Sequence, residues 1–522
     1  MKFLSRKTNT VEKSAIIIGI FTLMSSVLGI LRNTLLASYL GASRNIDIYY
    51  ASFRIPDFIF NIFIMGAITA GLIPLFSKYV HTKKEEANDF INSIIFIIVV
   101  LSLIFGIVLA IFATPIIEVL FKGMDANSKL MIVEITRIVM LQPIILGLSA
   151  ILGNVLLVYD FVLSFALAPL LYNLGIIFGI VVLYPRMGLI GLAWGVVAGA
   201  ILNLIVKLIP LNLTGFKFVK VSFEKMKRYA KEFGVLIVPR TLSVINIQIF
   251  LFVVNYFASF LEPGKLGIFN LANSFQDLPQ TIFATSIAMA AFPVLSRMFH
   301  QDNIDGVKAL YLKSFHQINF IMFLIGTGLF VLRYPLVKIL LNYGNFGLDA
   351  IKITADILQI MSVGLVFSAL LLLNLDTLFA LGDMLTPLLA SFLAYGLGSL
   401  LIWIFYRRFG IMGITIALVI ANAIYFKIMM LKIISKLKLD IWTLISKVVK
   451  NLSIAILSGI MGWIVFRGVS SLKTLGMVDY AVYNLVIPTL VIVGVYMLLA
   501  KLLKFEEVND FWKIIINKLK RK

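Results

Sequence analysis

The chain reads as long, uninterrupted apolar runs separated by short polar segments rich in lysine and arginine. An α-helix needs about 20 apolar residues to cross roughly 30 Å of hydrocarbon. By that measure the sequence predicts about fourteen spans. Their limits fall at roughly 13–40, 47–77, 88–121, 130–158, 161–184, 187–209, 233–260, 266–296, 314–333, 350–380, 384–406, 411–435, 446–466 and 478–503. The runs are continuous rather than alternating, which points to helices and away from a barrel, whose strands alternate lipid-facing and lumen-facing residues. An all-α polytopic membrane protein is therefore expected. A basic lead (Lys2, Arg6, Lys7, Lys13) precedes the first run, and no small-residue cleavage site closes a short apolar core. That run is expected to be a retained span, not a signal peptide.

Composition agrees. Of 522 residues, 61% are hydrophobic and only 14% charged, whereas soluble domains hold roughly 45–50% and about 25%. A water-soluble enzyme, a disordered chain and a disulfide scaffold are excluded, the last also by the absence of cysteine. The formal net charge is +21, from 46 Lys+Arg against 25 Asp+Glu. These basic residues lie between apolar spans, so the expected partner is the anionic membrane surface and no nucleic acid. They concentrate in alternate connections: Lys78, Lys83 and Lys84; Lys207, Lys217, Lys220, Lys225, Lys227, Arg228 and Lys231; Lys432, Lys436, Lys438, Lys447 and Lys450; and the tail Lys518, Lys520, Arg521, Lys522. The positive-inside rule then places both termini in the cytoplasm.

The halves resemble each other at an offset of about 220 residues, the repeat expected of transporters built from two matched bundles. Ile73-Pro74-Leu75-Phe76-Ser77-Lys78 matches Phe292-Pro293-Val294-Leu295-Ser296-Arg297. Thr114-Pro115 to Leu120 matches Tyr334-Pro335 to Leu340, Ala168-Pro169-Leu170-Leu171 matches Thr386-Pro387-Leu388-Leu389, and Gly188-Leu189-Ile190-Gly191 matches Gly410-Ile411-Met412-Gly413. Six spans per half is an even number, so both halves enter the membrane in the same direction. Two parallel six-helix lobes plus two C-terminal helices are expected. The corresponding regions are an N-terminal lobe at 1–210, a cytoplasmic basic linker at 211–232, a C-terminal lobe at 233–437, and helices 13–14 with a basic tail at 438–522. Matched halves suit alternating access and point to a transporter rather than a channel or receptor.

Ionisable groups inside spans cost roughly 2.5–3.5 kcal/mol on insertion scales and generally face a cavity or a partner. Arg32 stands with Asn33 in the first span; Asp47, Arg54 and Asp57 in the second; Glu134 and Arg137 in the fourth; Arg240 beside Pro239 in the seventh. The eighth carries Asn270, Asn273, Gln276, Asp277 and Gln280, and the tenth Asp356 and Asp376. Each has a plainer reading. Arg54 and Asp57, like Glu134 and Arg137, have the spacing of a private i,i+3 ion pair. Asp356 and Asp376 lie near span ends and suit solvation, and Arg240 could snorkel to an interface. Pro56 and Pro279 interrupt the second and eighth spans, as gate hinges or as fixed kinks. Gly191, Gly195 and Gly199 form a row expected to pack closely against another helix. No metal site is expected. The histidines (His81, His300, His316) are expected in or near loops, and no HExxH, Walker A or GxSxG motif is present. The chain is therefore read as no enzyme.

The stretch from Ser26 to Asn33, followed by Gly41-Ala42, Asp47 and Ser52-Phe53-Arg54-Ile55-Pro56-Asp57, resembles the MurJ/MviN lipid II flippases. Gly66-Ala67, Ile73-Pro74, Pro239-Arg240-Thr241-Leu242, Gln248, Ala258 to Leu261, Leu278-Pro279, Leu341 to Phe346 and Ala380 to Pro387 continue the resemblance in order. Family charges are replaced at Ser26, Asn33, Phe60, Asn61, Met65 and Ser274, which marks a divergent member. The resemblance implies the fold of the multidrug/oligosaccharidyl-lipid/polysaccharide exporter superfamily, with fourteen helices in two lobes plus two that form a lipid-tail groove. It also implies transbilayer flipping of an undecaprenyl-pyrophosphate-linked peptidoglycan precursor (lipid II) in a bacterial cytoplasmic (inner) membrane. Arg32, Arg54 and Arg240 would receive the pyrophosphate, Asp47, Asp57 and Asp277 would orient them or meet sugar and peptide, and Pro56 and Pro279 would bend. No cofactor is expected; coupling to the membrane potential or to a monovalent cation stays open, and a sodium site in span eleven does not transfer, because 387–404 hold no carboxamide or carboxylate. A monomer, with cell-wall synthesis enzymes as candidate partners, completes the expectation. Another lipid-linked oligosaccharide, a drug/cation antiporter or a non-transporting scaffold remain alternatives.

Overall fold

A computed structural model describes residues 11–62, 72–82, 84–470 and 476–508. The chain divides into two compact units, Met1–Gly267 and Ile268–Lys522.

The described secondary-structure elements of the first unit are all helices. It runs through α1 (Val11–Leu40), α2 (Arg44–Ser52), α3 (Arg54–Phe60), α4 (Ile73–Thr82), α5 (Lys84–Ile111), α6 (Ala113–Leu120), α7 (Ala126–Val139), α8 (Leu141–Val158), α9 (Val162–Phe178), α10 (Tyr184–Met187), α11 (Leu189–Leu208) and α12 (Phe223–Ala258). Side-chain caps start several of these helices and satisfy their free N–H groups. Ser43 accepts from the Asn45 amide ahead of α2, Asp125 from Ser128 ahead of α7, and Ser222 from Lys225 ahead of α12.

The glycine row of α11 packs as expected. A Cβ on Gly195 would lie 2.3 Å from Gly179 Cα, and one on Gly199 would lie 2.5 Å from the Tyr172 carbonyl oxygen. Only hydrogen at these positions lets α9 and α11 approach so closely. The basic segment expected as a linker is partly helical: α12 starts at Phe223 and continues unbroken into the seventh expected span. Its first turns dock on α5 through Lys225–Asp89 at 2.7 Å and Arg228–Glu86 at 3.0 Å. Beneath them Phe76, Tyr79, Phe90, Tyr229 and Phe233 form an aromatic core.

The second unit takes in most of α13 (Lys265–Pro279), then α14 (Ser286–His300), α15 (Ile304–Leu341), α16 (Leu348–Ala380), α17 (Leu385–Leu437), α18 (Ile441–Ser470), α19 (Met477–Ala481) and α20 (Ile487–Leu502). A wider π-helical stretch, Gln280–Thr285, follows Pro279. Proline has no N–H to give the preceding turn, which explains why the regular ladder stops there. Phe320, Tyr496 and Phe505 join α15, α20 and the segment after α20, where the Tyr496 hydroxyl donates to the Phe320 carbonyl at 3.0 Å.

Eleven helices among the described residues are long and apolar enough to cross a membrane. One of them, α17, contains two expected spans, separated at Gly410, whose φ of 55° breaks the helix. The second expected span is interrupted at Phe53, and part of it lies outside the described residues. Over the seventh, the described residues give a shorter apolar helix, Val244–Ala258. Large apolar side chains such as Phe96, Leu389, Phe392 and Trp403 are exposed on helix surfaces. Water would penalise so much exposed apolar area, whereas lipid does not.

Candidate functional site

The polar residues of α1, α2, α3 and α9 converge within the first unit. Arg32 is half-buried on α1. Its Nε and Nη2 both donate to the Asn33 carboxamide oxygen, at 3.1 and 3.0 Å, and its Nη1 donates to Asn173 Oδ1 at 3.1 Å. Asn173, on α9, is itself fixed by donating to the Ser25 carbonyl and hydroxyl, both at 3.2 Å. Among the described residues, every hydrogen-bond partner of Arg32 is therefore an uncharged amide. A guanidinium carries five N–H donors, so this arrangement orients the cation, leaves one N–H on each Nη, and neutralises nothing.

Three tyrosines lie within electrostatic reach of this cation, Tyr50 among them. Tyr49 on α2 and Tyr172 on α9 each lie within electrostatic reach of both Arg32 and Asp57. Tyr49 also packs against Tyr50 and Phe53, with ring centroids 5.4 and 4.8 Å apart. Arg54 opens α3 and Asp57 follows one turn later. They feel each other's charge, yet they form no ion pair among the described residues. Arg54 Nε is buried without an acceptor, as is the Tyr50 hydroxyl. The private pair suggested by the i,i+3 spacing is therefore not made. Glu134 and Arg137 are not paired either; both are exposed, and Arg137 Nε donates to the Ala110 carbonyl at 3.2 Å.

Asp47 departs from its expected place. It is 1% exposed, and its carboxylate accepts from the Gly264 amide at 2.7 Å and the Gly267 amide at 2.8 Å, with Arg44 Nη1 3.4 Å away. It clasps the backbone at the start of α13 instead of orienting Arg32 or Arg54. The clasp requires glycine: Gly264 has φ +88°, and a Cβ there would meet the Ala42 carbonyl oxygen at 2.3 Å. In this arrangement its carboxylate has no free face for a substrate.

Pro56 lies in the first turn of α3, just after the chain breaks at Phe53. Proline cannot bond the carbonyl four residues back, here that of Ser52. The Thr136 hydroxyl donates to that carbonyl instead, at 3.1 Å. The break is thus stabilised from α7. The backbone of Arg240 lies on α12, and its side chain is outside the described residues.

In the second unit, the α13 residues face α16. Gln276 Nε2 donates to the Ser368 hydroxyl at 3.4 Å and Gln280 Nε2 to the Ser368 carbonyl at 3.5 Å. Asp277 is exposed and accepts from Asn273 Nδ2 at 2.7 Å. Asp356 is exposed and 3.9 Å from Arg333, whereas Asp376 is buried. His316, expected in or near a loop, is buried on α15; His300 ends α14, and the side chain of His81 is outside the described residues.

Sequence reasoning missed Asn173, Tyr49 and Tyr172. Asn173 was legible in principle, as the one carboxamide in the apolar run of α9, since polar groups inside spans tend to be functional. The tyrosines carry no such signal because aromatic residues are common in apolar helices.

With this geometry in place, comparison with known proteins decides the family. The sequence profile described as lipid II flippase MurJ matches residues 36–487. The chain belongs to the lipid II flippase MurJ family. A probable lipid II flippase MurJ from Thermotoga maritima is 25% identical over 508 residues, covering 95% of this chain and 98% of that protein. The solved structure of a lipid II flippase MurJ in an inward closed conformation superposes with a TM-score of 0.76 at 21% identity, covering 96% of this chain and all of the other. An inward-facing multidrug resistance MATE transporter of the MOP superfamily has a TM-score of 0.64 at 17% identity, covering 81% and 99% of the two chains. These structural likenesses establish the shared fold. Membership in MurJ makes this a multi-pass membrane protein of a transporter family, and it places the chain in the bacterial inner membrane.

Proposed function

We propose that this protein flips lipid II, the undecaprenyl-pyrophosphate-linked peptidoglycan precursor, from the cytoplasmic to the outer leaflet by alternating access, in support of cell-wall synthesis. The observation that carries the reading is the Arg32 guanidinium, held in place by the uncharged carboxamides of Asn33 and Asn173, together with Arg54, whose buried Nε has no acceptor among the described residues. A pyrophosphate cannot cross bare hydrocarbon, because an isolated charge there costs tens of kcal/mol by the Born estimate. Guanidinium groups replace its hydration with directed, charge-assisted hydrogen bonds and match two phosphate oxygens at once. Arg32 is oriented for that task without being neutralised.

Asp57, Tyr49 and Tyr172 line the same region and supply polar contacts for sugar or peptide. Asp47 positions backbone. Pro56 and Pro279 serve as bending points as the site changes access. The prenyl tail stays in lipid. Both termini face the cytoplasm, the working form is a monomer near cell-wall synthesis enzymes, and the inside-negative membrane potential or a monovalent cation resets the empty, positively charged site. A drug-cation antiporter would call for a site dominated by carboxylates, and the arginines here oppose that reading.

The test is rescue of a bacterium depleted of its own flippase. Wild-type chain should restore lipid II export and growth. Arg32→Ala and Arg54→Ala should each fail at equal membrane abundance. Failure of the wild-type chain would reject the substrate, and full rescue by both variants would reject the arginine roles.

A further inference from the structure

Asp57 brings a carboxylate into the region of Arg32, and no described residue neutralises it. Its backbone is fixed: the Asp57 amide donates to the Phe53 carbonyl at 2.8 Å, and the Asp57 carbonyl accepts from Asn61 Nδ2 at 2.8 Å. Its carboxylate has no hydrogen bond or ion pair among the described residues. Arg54 stands one turn away on α3, where side chains three positions apart are neighbours. A change of rotamer would join the two, yet they stay apart, and Arg54 Nε is buried without an acceptor. Arg32 takes only carboxamide partners among the described residues, although Tyr49 and Tyr172 feel its charge and that of Asp57 alike. Charges of both signs thus share one region of the membrane interior without pairing. Ionisable groups there are costly and meet a partner or a cavity. A local pair would have relieved that cost; keeping the signs apart leaves each to a complementary charge from outside the chain.

The surroundings of the carboxylate say which cation fits. Tyr49, one of the two tyrosines that feel Asp57, packs its ring against Tyr50 and Phe53, with centroids 5.4 and 4.8 Å apart. Aromatic faces attract organic cations, and a phenol oxygen accepts a hydrogen bond from an ammonium. A divalent metal ion wants six or more oxygen ligands. One carboxylate among phenols does not supply them, and the described residues hold no group of three or more metal-ligating side chains. We propose that Asp57 reads a protonated amine on the peptide of the cargo, the side-chain amine of a diamino acid, while Arg32 holds the diphosphate of the same molecule. This rests on the transport reading above and sharpens it. The site selects a headgroup that carries charge of each sign at two separate points, and a lipid-linked sugar diphosphate with no amine is the poorer cargo.

The full chain, purified in detergent, is offered lipid II with a lysine in its peptide, the same lipid with the lysine amine acetylated, and the same lipid with that amine dimethylated. Binding is measured by native mass spectrometry. The free-amine form should bind at least about tenfold more tightly than the acetylated form, a difference of about 1.4 kcal/mol. Dimethylation keeps the charge that acetylation removes, so the dimethylated form should share the advantage. Asp57→Asn should bring the free-amine form down to the affinity of the acetylated one, whereas Arg32→Ala should weaken all three forms and leave their ratio standing. Equal binding of the free and acetylated forms by the wild-type chain would overturn this proposal alone, as would a dimethylated form that binds as weakly as the acetylated one, or a preference that survives in Asp57→Asn. Binding of no form at all would overturn both the proposal and the transport reading beneath it.

Discussion

Replacing Asp47 by asparagine tests whether its carboxylate holds the first unit together at the start of α13. The carboxylate accepts two backbone N–H groups, at 2.7 and 2.8 Å, in a site closed to water. Hydrogen bonds to a charged group contribute about 1.5–3 kcal/mol each. Asparagine keeps one acceptor oxygen, worth about 1 kcal/mol as a neutral bond, and turns an NH₂ group toward the other amide. That amide is orphaned at a cost of about 1–3 kcal/mol. Each range is taken at its low end, because burying the charge offsets part of the gain, and the net loss is about 3 kcal/mol, even though the side-chain volume barely changes. For units of 150–250 residues, each kcal/mol shifts Tm by roughly 2–4 °C. The unit here spans 1–267, so Asp47→Asn should lower its Tm by about 6 °C or more. Intrinsic tryptophan fluorescence during heating in detergent reads the change. Gly264→Ala should be at least as damaging, since it forces a Cβ into the Ala42 carbonyl. An Asp47→Asn protein that melts within about 1 °C of wild type would refute the clasp.

Gly195→Ala places a methyl group 2.3 Å from Gly179 Cα and should cost about 1–3 kcal/mol or more by overpacking; Gly396→Ala, which meets nothing within 4 Å, is the control in the same melting assay. Lys207 is buried, donating among the described residues only to the Ser149 carbonyl at 3.1 Å, with the Phe165 ring 5.8 Å away. Lys207→Met should leave Tm unchanged or raise it, because removing a poorly compensated buried charge is often stabilising; a fall of several degrees would count against this. At Asp383, in the turn between α16 and α17, burial pushes the carboxyl up, but the Thr386 amide and hydroxyl and the Lys436 ammonium outweigh it and hold it below its ordinary value of 3.8. A depressed carboxyl stabilises the fold above its unfolded value, and that stabilisation is lost as pH falls through the folded value. The Tm gap between wild type and Asp383→Asn should therefore close below about pH 4, and a gap that persists in acid would exclude this ion pair as its source.

The sequence by itself determined that the chain is helical and lies in a membrane, because only an apolar run of sufficient length satisfies both its backbone and the surrounding lipid. It also determined the glycine face of α11, since small residues at four-residue spacing have few other uses in lipid. Arg32 and Arg54 were visible as charges stationed where charges are costly. Their partners were not. Spacing suggested that Arg54 would pair with Asp57, whereas folding leaves the two unpaired and draws Asn173, 141 positions away, onto Arg32. Asp47 looked like a cleft carboxylate until the Gly264 turn came within hydrogen-bond reach. Periodicity reports which face of a helix is apolar, but a hydrogen bond depends on where two distant helices cross, and only tertiary packing fixes that crossing.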